Sequence, residues 1–229
     1  MKKFLVFSLI LLTPFLFSFT SSKPDFEGKL VYDITINSSN MPEQAKAMFD
    51  GSQVIIYVKG MMTRAEMNMA MQNTISISDR KANTSVTLMD IMGSKYMIKS
   101  DINKKETEKT LEVTVKELNE TKTIAGYLCK KAEILFKDKS GKEKSTIIFY
   151  SEEITNQMGY DKRNYFLKDI KGMPLEYEIT TDNGMTMKMT AKTISKESIA
   201  DSKFEIPTGY KETTAEDLQK DMMKMMQQH

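Results

Sequence analysis

Most of this chain alternates apolar and polar residues with a period of two. In segment 29–36, for example, Leu30, Tyr32, Ile34 and Ile36 fall on one side and polar residues fall mainly on the other. This period places successive side chains on opposite faces of a β-strand, so it predicts strands with one buried face. The same pattern recurs along the chain, in segments 53–59, 63–72, 74–79, 85–92, 95–99, 111–118, 128–137, 145–150, 175–181 and 185–194.

Short turn signals separate these segments. They are Lys59-Gly60, 79–83, Gly93-Ser94, 138–141 and 182–184. Connections this short leave no room for the crossover that joins parallel strands. The sequence therefore predicts a mainly β fold in which about ten or eleven strands pair antiparallel.

Two segments have helical spacing instead. Segment 42–50 begins with Pro42, which suits a first helical turn, and Ala45, Met48 and Phe49 follow at helical intervals. We expect a short helix there, and we expect the charged segment 103–109 to be an exposed loop.

The C-terminal tail, residues 213–229, is predicted to be an amphipathic helix. Thr213 or Thr214 can cap its start, with an acidic residue three positions later. An apolar stripe follows, and we expect it to cover the sheet as a lid. The stripe consists of Leu218, Met222, Met225 and Met226.

The N-terminus has the order of a secretion signal. Lys2 and Lys3 precede an apolar stretch, residues 4–19, and small polar residues end at Ser22. The stretch contains Pro14 and is shorter than the roughly 20 residues that a bilayer core requires. We expect residues 1–22 to be removed, residues 23–212 to form one β domain and residues 213–229 to form the tail. The mature protein would then be periplasmic or extracellular, without a stable membrane span; a retained anchor is the alternative.

Charge and residue usage restrict the function. Removing Lys2 and Lys3 takes the 33 basic residues to 31, which equals the 31 acidic residues, so no basic excess indicates nucleic acid. The single histidine is His229, the last residue, and the single cysteine, Cys129, lies in a predicted strand. Nucleophilic catalysis usually needs a positioned base such as histidine, and zinc sites need several His or Cys ligands. We therefore expect no enzyme activity and no cofactor, and we expect Cys129 to be a buried, unreactive thiol.

Methionine is unusually frequent, at 20 of 229 residues, and tryptophan is absent. Methionine side chains can simply fill a core, they can re-pack around apolar ligands of variable shape, or they can bind copper(I) through sulfur. These three interpretations stay open. Two trios have strand spacing and are the candidate ligand-binding residues: Met67, Met69 and Met71, and Met185, Met187 and Met189. The alternative metal ligands are in the tail: Met222, Met223, Met225, Met226 and His229.

Five motifs lie along the chain: Phe26-Glu27-Gly28, GMMTR at 60–64, IAGYLC at 124–129, GMPLEY at 172–177 and ADSKFEIPTGY at 200–210. In these motifs the chain resembles a family of exported bacterial envelope proteins, the domain of unknown function four-four-one-two, which is similar to the outer-membrane lipoprotein carriers. Together the motifs span nearly the whole mature chain.

The resemblance implies a strongly curved antiparallel sheet, an incomplete barrel whose apolar concave face is covered by helices. It implies no catalytic residue. In the carriers an arginine helps to hold a closed state, and Arg64 is the possible counterpart here, although an ion pair at the surface is the interpretation we favour. Together with the methionines, this leads us to expect a binding protein for an apolar ligand, such as a lipid or lipidated polypeptide. A copper-binding protein or an interaction module without a ligand are the alternatives.

Overall fold

The computed structural model describes residues 26–37, 49, 51–69, 72–102, 113–137, 141–155, 166–180 and 186–227. These residues form twelve strands, a 3-10 turn at Asp201–Phe204 and a C-terminal helix, α1, at Ala215–Gln227. The strands are β1 Gly28–Asn37, β2 Gln53–Lys59, β3 Met62–Asn68, β4 Gln72–Asp79, β5 Thr84–Ile91, β6 Ser94–Asp101, β7 Val113–Ile124, β8 Tyr127–Lys137, β9 Glu143–Ser151, β10 Met173–Thr180, β11 Thr186–Lys196 and β12 Lys211–Glu212.

All twelve strands belong to one open sheet with the order β12-β6-β5-β4-β3-β2-β1-β11-β10-β9-β8-β7. Strands β1 to β6 form one meander and β7 to β11 form a second. The antiparallel pairing of β1 with β11 joins the two. Because most neighbours are consecutive in the chain, the short turns predicted from the sequence are sufficient to build the sheet. The predicted mainly β, antiparallel fold and the C-terminal helix are confirmed.

The predicted strand at 63–72 is present but too long. Strand β3 ends at Asn68, and Met69 and Gln72 then exchange both backbone hydrogen bonds, with N–O distances of 3.0 and 3.3 Å. These bonds close a tight hairpin into β4. Residues 70 and 71 lie outside the described residues, and their sequence, alanine followed by methionine, contains none of the residue types that mark turns.

The predicted strand at 111–118 is too short. Strand β7 continues to Ile124, and the turn into β8 is formed by Ala125 and Gly126, with φ angles of 48° and 86°. Positive φ at both central residues is the conformation that matches the twist of a two-residue hairpin. The IAGYLC motif is therefore a hairpin turn and the start of the next strand.

Strand β12 was not predicted from the sequence. It pairs with β6 in parallel over Lys211 and Glu212.

Two predictions concern residues that the structure does not describe. The predicted helix at 42–50 lies outside the described residues except for Phe49, and the predicted loop at 103–109 lies wholly outside them.

The first and larger core lies on one face of β1, β2, β8, β9, β10 and β11. Its fully buried members include Leu30, Tyr32 and Tyr177, and the rings of the two tyrosines meet edge to face at 6.4 Å. The Tyr32 hydroxyl donates a 2.8 Å hydrogen bond to the Pro174 carbonyl, which satisfies both buried groups. The connection from β9 to β10 adds more apolar side chains to this core: Ile154, Phe166, Leu167 and Ile170.

Close approach of the backbone explains the glycine of the GMPLEY motif. A Cβ atom on Gly172 would lie 2.1 Å from the Ser151 carbonyl oxygen. Glycine therefore allows the chain to enter β10 directly against the end of β9.

The second, smaller core lies on the opposite face of the sheet, over β4 and β5. Residues 199–210, here called the strap, cross this face after β11. Ile199 and Phe204 of the strap are buried against Ile77, Val86 and Leu88. The sheet thus buries one face at its centre and the other face near its β6 edge.

Candidate functional site

In strands β1 to β6, the charged residues are confined to one of the two faces of the sheet. Their cross-strand pairings contain no register shift, so each paired residue lies on the same face as its partner. One face carries every charged residue of these six strands: Lys29, Asp33, Lys59, Arg64, Glu66, Asp79, Asp90, Lys95, Lys99 and Asp101. We call the other the uncharged face. It consists of the even-numbered residues of β1, β2, β4 and β6 and the odd-numbered residues of β3 and β5.

On the uncharged face, hydroxyl residues on β4 and β5 lie between apolar residues on β1 to β3 and apolar residues on β6. One cross-strand row runs from Leu30 through Ile56, Ala65, Ser76 and Thr87 to Ile98. The first core covers the β1 and β2 end of this row, and the hydroxyl residues lie on β4 and β5. Since burying a hydroxyl group without a hydrogen bond is costly, this polar part is unsuited to an apolar core.

The next row combines methionine with polar residues. It pairs Val54 with Met67, Met67 with Thr74, and Thr74 with Met89. The Thr74 side chain is buried, and its Oγ1 accepts a 3.0 Å hydrogen bond from Nε2 of Gln72. Met67 and Met89 are half-buried.

The sequence-predicted methionines are only partly brought together. Met187 pairs with Ile36 and Met189 with Ile34, so β11 extends the uncharged face beyond β1. Met67 lies on the same face but three strand spacings away, about 14 Å. Met189 is buried in the first core, whereas Met67 and Met187 are half-buried at its margin.

The remaining predicted methionines have other positions. Met69 lies just after β3, at the hairpin into β4, and is half-buried. Met71 and Met185 lie outside the described residues.

Sequence reasoning missed the hydroxyl-bearing part of the uncharged face. Thr74 and Ser76 are buried polar residues of β4, and Thr87 is half-buried on β5. The signal was present as hydroxyl residues at every second position of two adjacent strands, in the sequences TISIS at 74–78 and SVT at 85–87. Only the pairing of β4 with β5 shows that the two series share a face.

Arg64 lies on the charged face, where it holds the strap. Its Nε donates to Oε1 of Glu66 at 2.6 Å and its Nη1 donates to the Lys203 carbonyl at 3.1 Å. Lys203 in turn places its Nζ 3.0 Å from Glu66 Oε1 and 4.1 Å from the Tyr57 ring centre. The predicted ion pair of Arg64 is confirmed, but its surface position is wrong. Arg64 is only 8% exposed because the strap covers it.

Cys129 is buried in the first core, as predicted. Burial raises the pKa of its thiol to about 11. The thiol is therefore protonated at neutral pH and is a poor nucleophile or metal ligand.

Two cavities lie on the β7 to β10 side of the sheet. One, of about 210 Å³, is lined by residues 135–137 of β8 with Thr114, Glu143 and Lys144. The other, of about 280 Å³, is lined by residues 145–147 of β9 and residues of β10 that include Glu176 and Glu178. Neither cavity is lined by a methionine, and both have mixed polar walls.

The C-terminal helix α1 begins where the sequence predicted. Thr214, one of the two candidate caps, accepts a 3.1 Å hydrogen bond from the backbone N–H of Asp217 at its Oγ1. Leu218 of the predicted stripe is buried, while Met222 and Met223 are exposed. The side chains of Met225 and Met226, and the whole of His229, lie outside the described residues, so the predicted lid and the alternative metal string stay predictions.

In the described part of the chain, no group of three or more His, Cys, Asp or Glu side chains is placed to hold a metal ion. Nor does any helix there have the length and apolar character that crossing a bilayer requires. No protein-family model and no curated protein matches this chain.

Proposed function

We propose that this chain is an exported binding protein without catalytic activity, which holds an apolar ligand, a lipid or a lipidated polypeptide, on the uncharged face. The observation that carries the proposal is the complete absence of charge from this face across β1 to β6. A face that served only as a solvated surface would be expected to carry charged residues, as the opposite face does.

The apolar margin of the first core is the part of this face suited to an acyl chain. Met67, Met187 and Ile36 are half-buried there and pack against the buried core. Unbranched methionine side chains can re-pack around chains of different shape. Each CH₂ group transferred from water contributes about 0.8 kcal/mol, so a long acyl chain would bind without any ionic contact.

Export is supported by the order of charged, apolar and small residues in segment 1–22. Protein isolated from its own cell envelope should therefore begin near residue 23. An intact segment 1–22 on that protein would contradict removal of the signal.

Binding can be tested with Nile red, a neutral dye whose fluorescence rises in apolar surroundings. We expect saturable binding to the wild-type protein, and about tenfold weaker binding by Met67→Gln/Met187→Gln, because both substitutions place an amide in the apolar part of the site. Met92→Gln is the matched control, since Met92 is 80% exposed in the β5–β6 turn. Equal binding by all three proteins would contradict this site.

The native ligand can be sought by native mass spectrometry of protein isolated from its own envelope. We expect a co-purified lipid-sized mass that is lost in Met67→Gln/Met187→Gln. A mass difference corresponding to copper in place of lipid would instead support the metal-binding alternative.

A further inference from the structure

We infer that the ligand is a neutral amphiphile, whose apolar chain lies along β11, β1, β2 and β3 and whose uncharged, hydroxyl-bearing headgroup lies against β4 and β5. This inference rests on the proposed function and specifies the class of ligand. It is carried by two features of the uncharged face: the hydroxyl residues on β4 and β5 beside the apolar part on β1 to β3, and the exclusion of charge from this face of β1 to β6.

The hydroxyl groups form a compact array. Thr74 and Ser76 on β4 pair with Met89 and Thr87 on β5. One position further along the same face, Ser78 and Ser85 pair directly, with their Oγ atoms 3.1 Å apart. Hydroxyl groups both donate and accept hydrogen bonds, so such an array is complementary to a headgroup that does the same, such as a glycerol or a sugar.

The absence of charge selects against ionic headgroups. A buried carboxylate, phosphate or ammonium group needs a paired counter-charge, and the nearest charged side chains on these strands point to the opposite face. Glu66, for example, is on β3 but is paired with Arg64 and Lys203 beneath the strap. Free fatty acids, anionic phospholipids and alkyl amines should therefore bind less well than neutral amphiphiles of the same chain length.

The experiment compares three probes with the same chain length: monolauroylglycerol, laurate and dodecylamine, each below its critical micelle concentration. Calorimetric titration of the mature protein at neutral pH should show monolauroylglycerol binding at least about tenfold more tightly than either charged probe, because neither charge finds a partner. Thr74→Val/Thr87→Val should remove most of this preference, because valine keeps the shape of threonine and loses the hydroxyl.

Thr84→Val/Thr190→Val is the matched control, since both threonines lie on the opposite face. It should keep the wild-type preference, and thermal unfolding should show that both double variants remain folded. Both double variants should still bind Nile red, because neither changes the apolar part of the site. Retained dye binding would show that the threonine hydroxyl groups affect the headgroup preference and not the binding of an apolar molecule.

The outcomes are distinguishable. If the three probes bind equally, or a charged probe binds best, the neutral-headgroup inference is wrong while the proposed apolar site survives. A preference that persists in Thr74→Val/Thr87→Val overturns the assignment of the headgroup to β4 and β5. If no probe and no Nile red binds, the proposed function itself fails.

Discussion

At the scale of single residues, Glu66 illustrates how the strap is held. Burial alone would raise the pKa of its carboxyl group, but hydrogen bonds from Lys203 and Arg64 outweigh burial, and the pKa lies below its ordinary value. A carboxyl group whose pKa is lowered in the folded state stabilises that state at neutral pH. This stabilisation is lost as the pH falls through the folded-state pKa.

Glu66→Gln should therefore destabilise the protein at pH 7 by about 1.5–3 kcal/mol, the usual range for hydrogen bonds to charged groups. The difference from wild type should shrink as the pH falls below the ordinary pKa of glutamate, about 4.3, towards the lowered folded-state pKa of Glu66. Urea unfolding at pH 7 and pH 3 measures both differences. Glu120→Gln is the control, because Glu120 forms an exposed ion pair with Lys131 and should have little effect. A difference that is the same at both pH values would contradict this account of Glu66.

Phe204 contributes to the same attachment through packing. It is the buried aromatic residue of the 3-10 turn at Asp201–Phe204. Phe204→Ala should lower the free energy of unfolding by about 3–5 kcal/mol, because it leaves a cavity in the second core. Ile206→Ala is the control, since Ile206 is 45% exposed. Similar losses for the two variants in urea unfolding would show that the strap is not anchored by Phe204.

At the scale of secondary-structure elements, α1 has the features of a weakly held segment. It follows β12, whose parallel pairing with β6 covers two residues, and its exposed side chains include Met222 and Met223. Leu218 is its buried apolar contact in the described part of the helix. A helix of this length depends on packing for its stability, so it can open at modest cost.

Removing residues 213–229 should therefore leave the sheet folded and increase Nile red fluorescence, if α1 covers apolar surface as a lid. Leu218→Ala should give part of the same increase, and Met223→Ala, at an exposed position, should give none. Circular dichroism checks that the sheet remains. Unchanged dye binding after truncation would exclude the lid, and unfolding would make α1 part of the core.

At the scale of the whole molecule, an open sheet must protect its edges. Strand β7 forms one end of the strand order, and its exposed residues include Lys116, Glu117 and Glu120. Its pairing with β8 also has a register shift between Leu118 and Thr121. Charged residues and bulges are the usual means by which an edge strand avoids pairing with another copy of the chain.

Lys116→Val/Glu120→Val should therefore cause concentration-dependent association, because it replaces two charged side chains on this edge strand with apolar ones. Size-exclusion chromatography with light scattering at increasing concentration measures the effect. Lys192→Val/Glu178→Val is the matched control on the interior strands β11 and β10, and it should leave the mass unchanged. Equal association of both variants would show that loss of charge, and not the edge position, is responsible.

The amino-acid sequence was sufficient to predict the class of fold and most of its elements. Period-two alternation and short turns are local signals, and they located most of the strands. Helical spacing located the C-terminal helix, for which the sequence offered Thr213 and Thr214 as caps. Thr214 is the cap in the structure. Alternation also placed Met187 and Met189 on one side of their strand. Alternation did not predict the end of β3 at Asn68, because the pairing of β3 with β4, and the backbone hydrogen bonds between Met69 and Gln72 that follow it, are not a local pattern.

Which strand faces lie on the same side of the sheet could not be predicted from the sequence and is seen in the strand pairing. The pairing of β1 with β11 joins residues more than 150 positions apart, such as Ile34 and Met189, and no local pattern specifies such a partner. The same holds for the strap, which buries Arg64 and creates a second core on the opposite face. The uncharged face exists because six strands pair without a register shift. Alternation places the charged residues of each strand on one of its sides. The hydrogen-bonded register between the strands then brings these sides together on one face of the sheet.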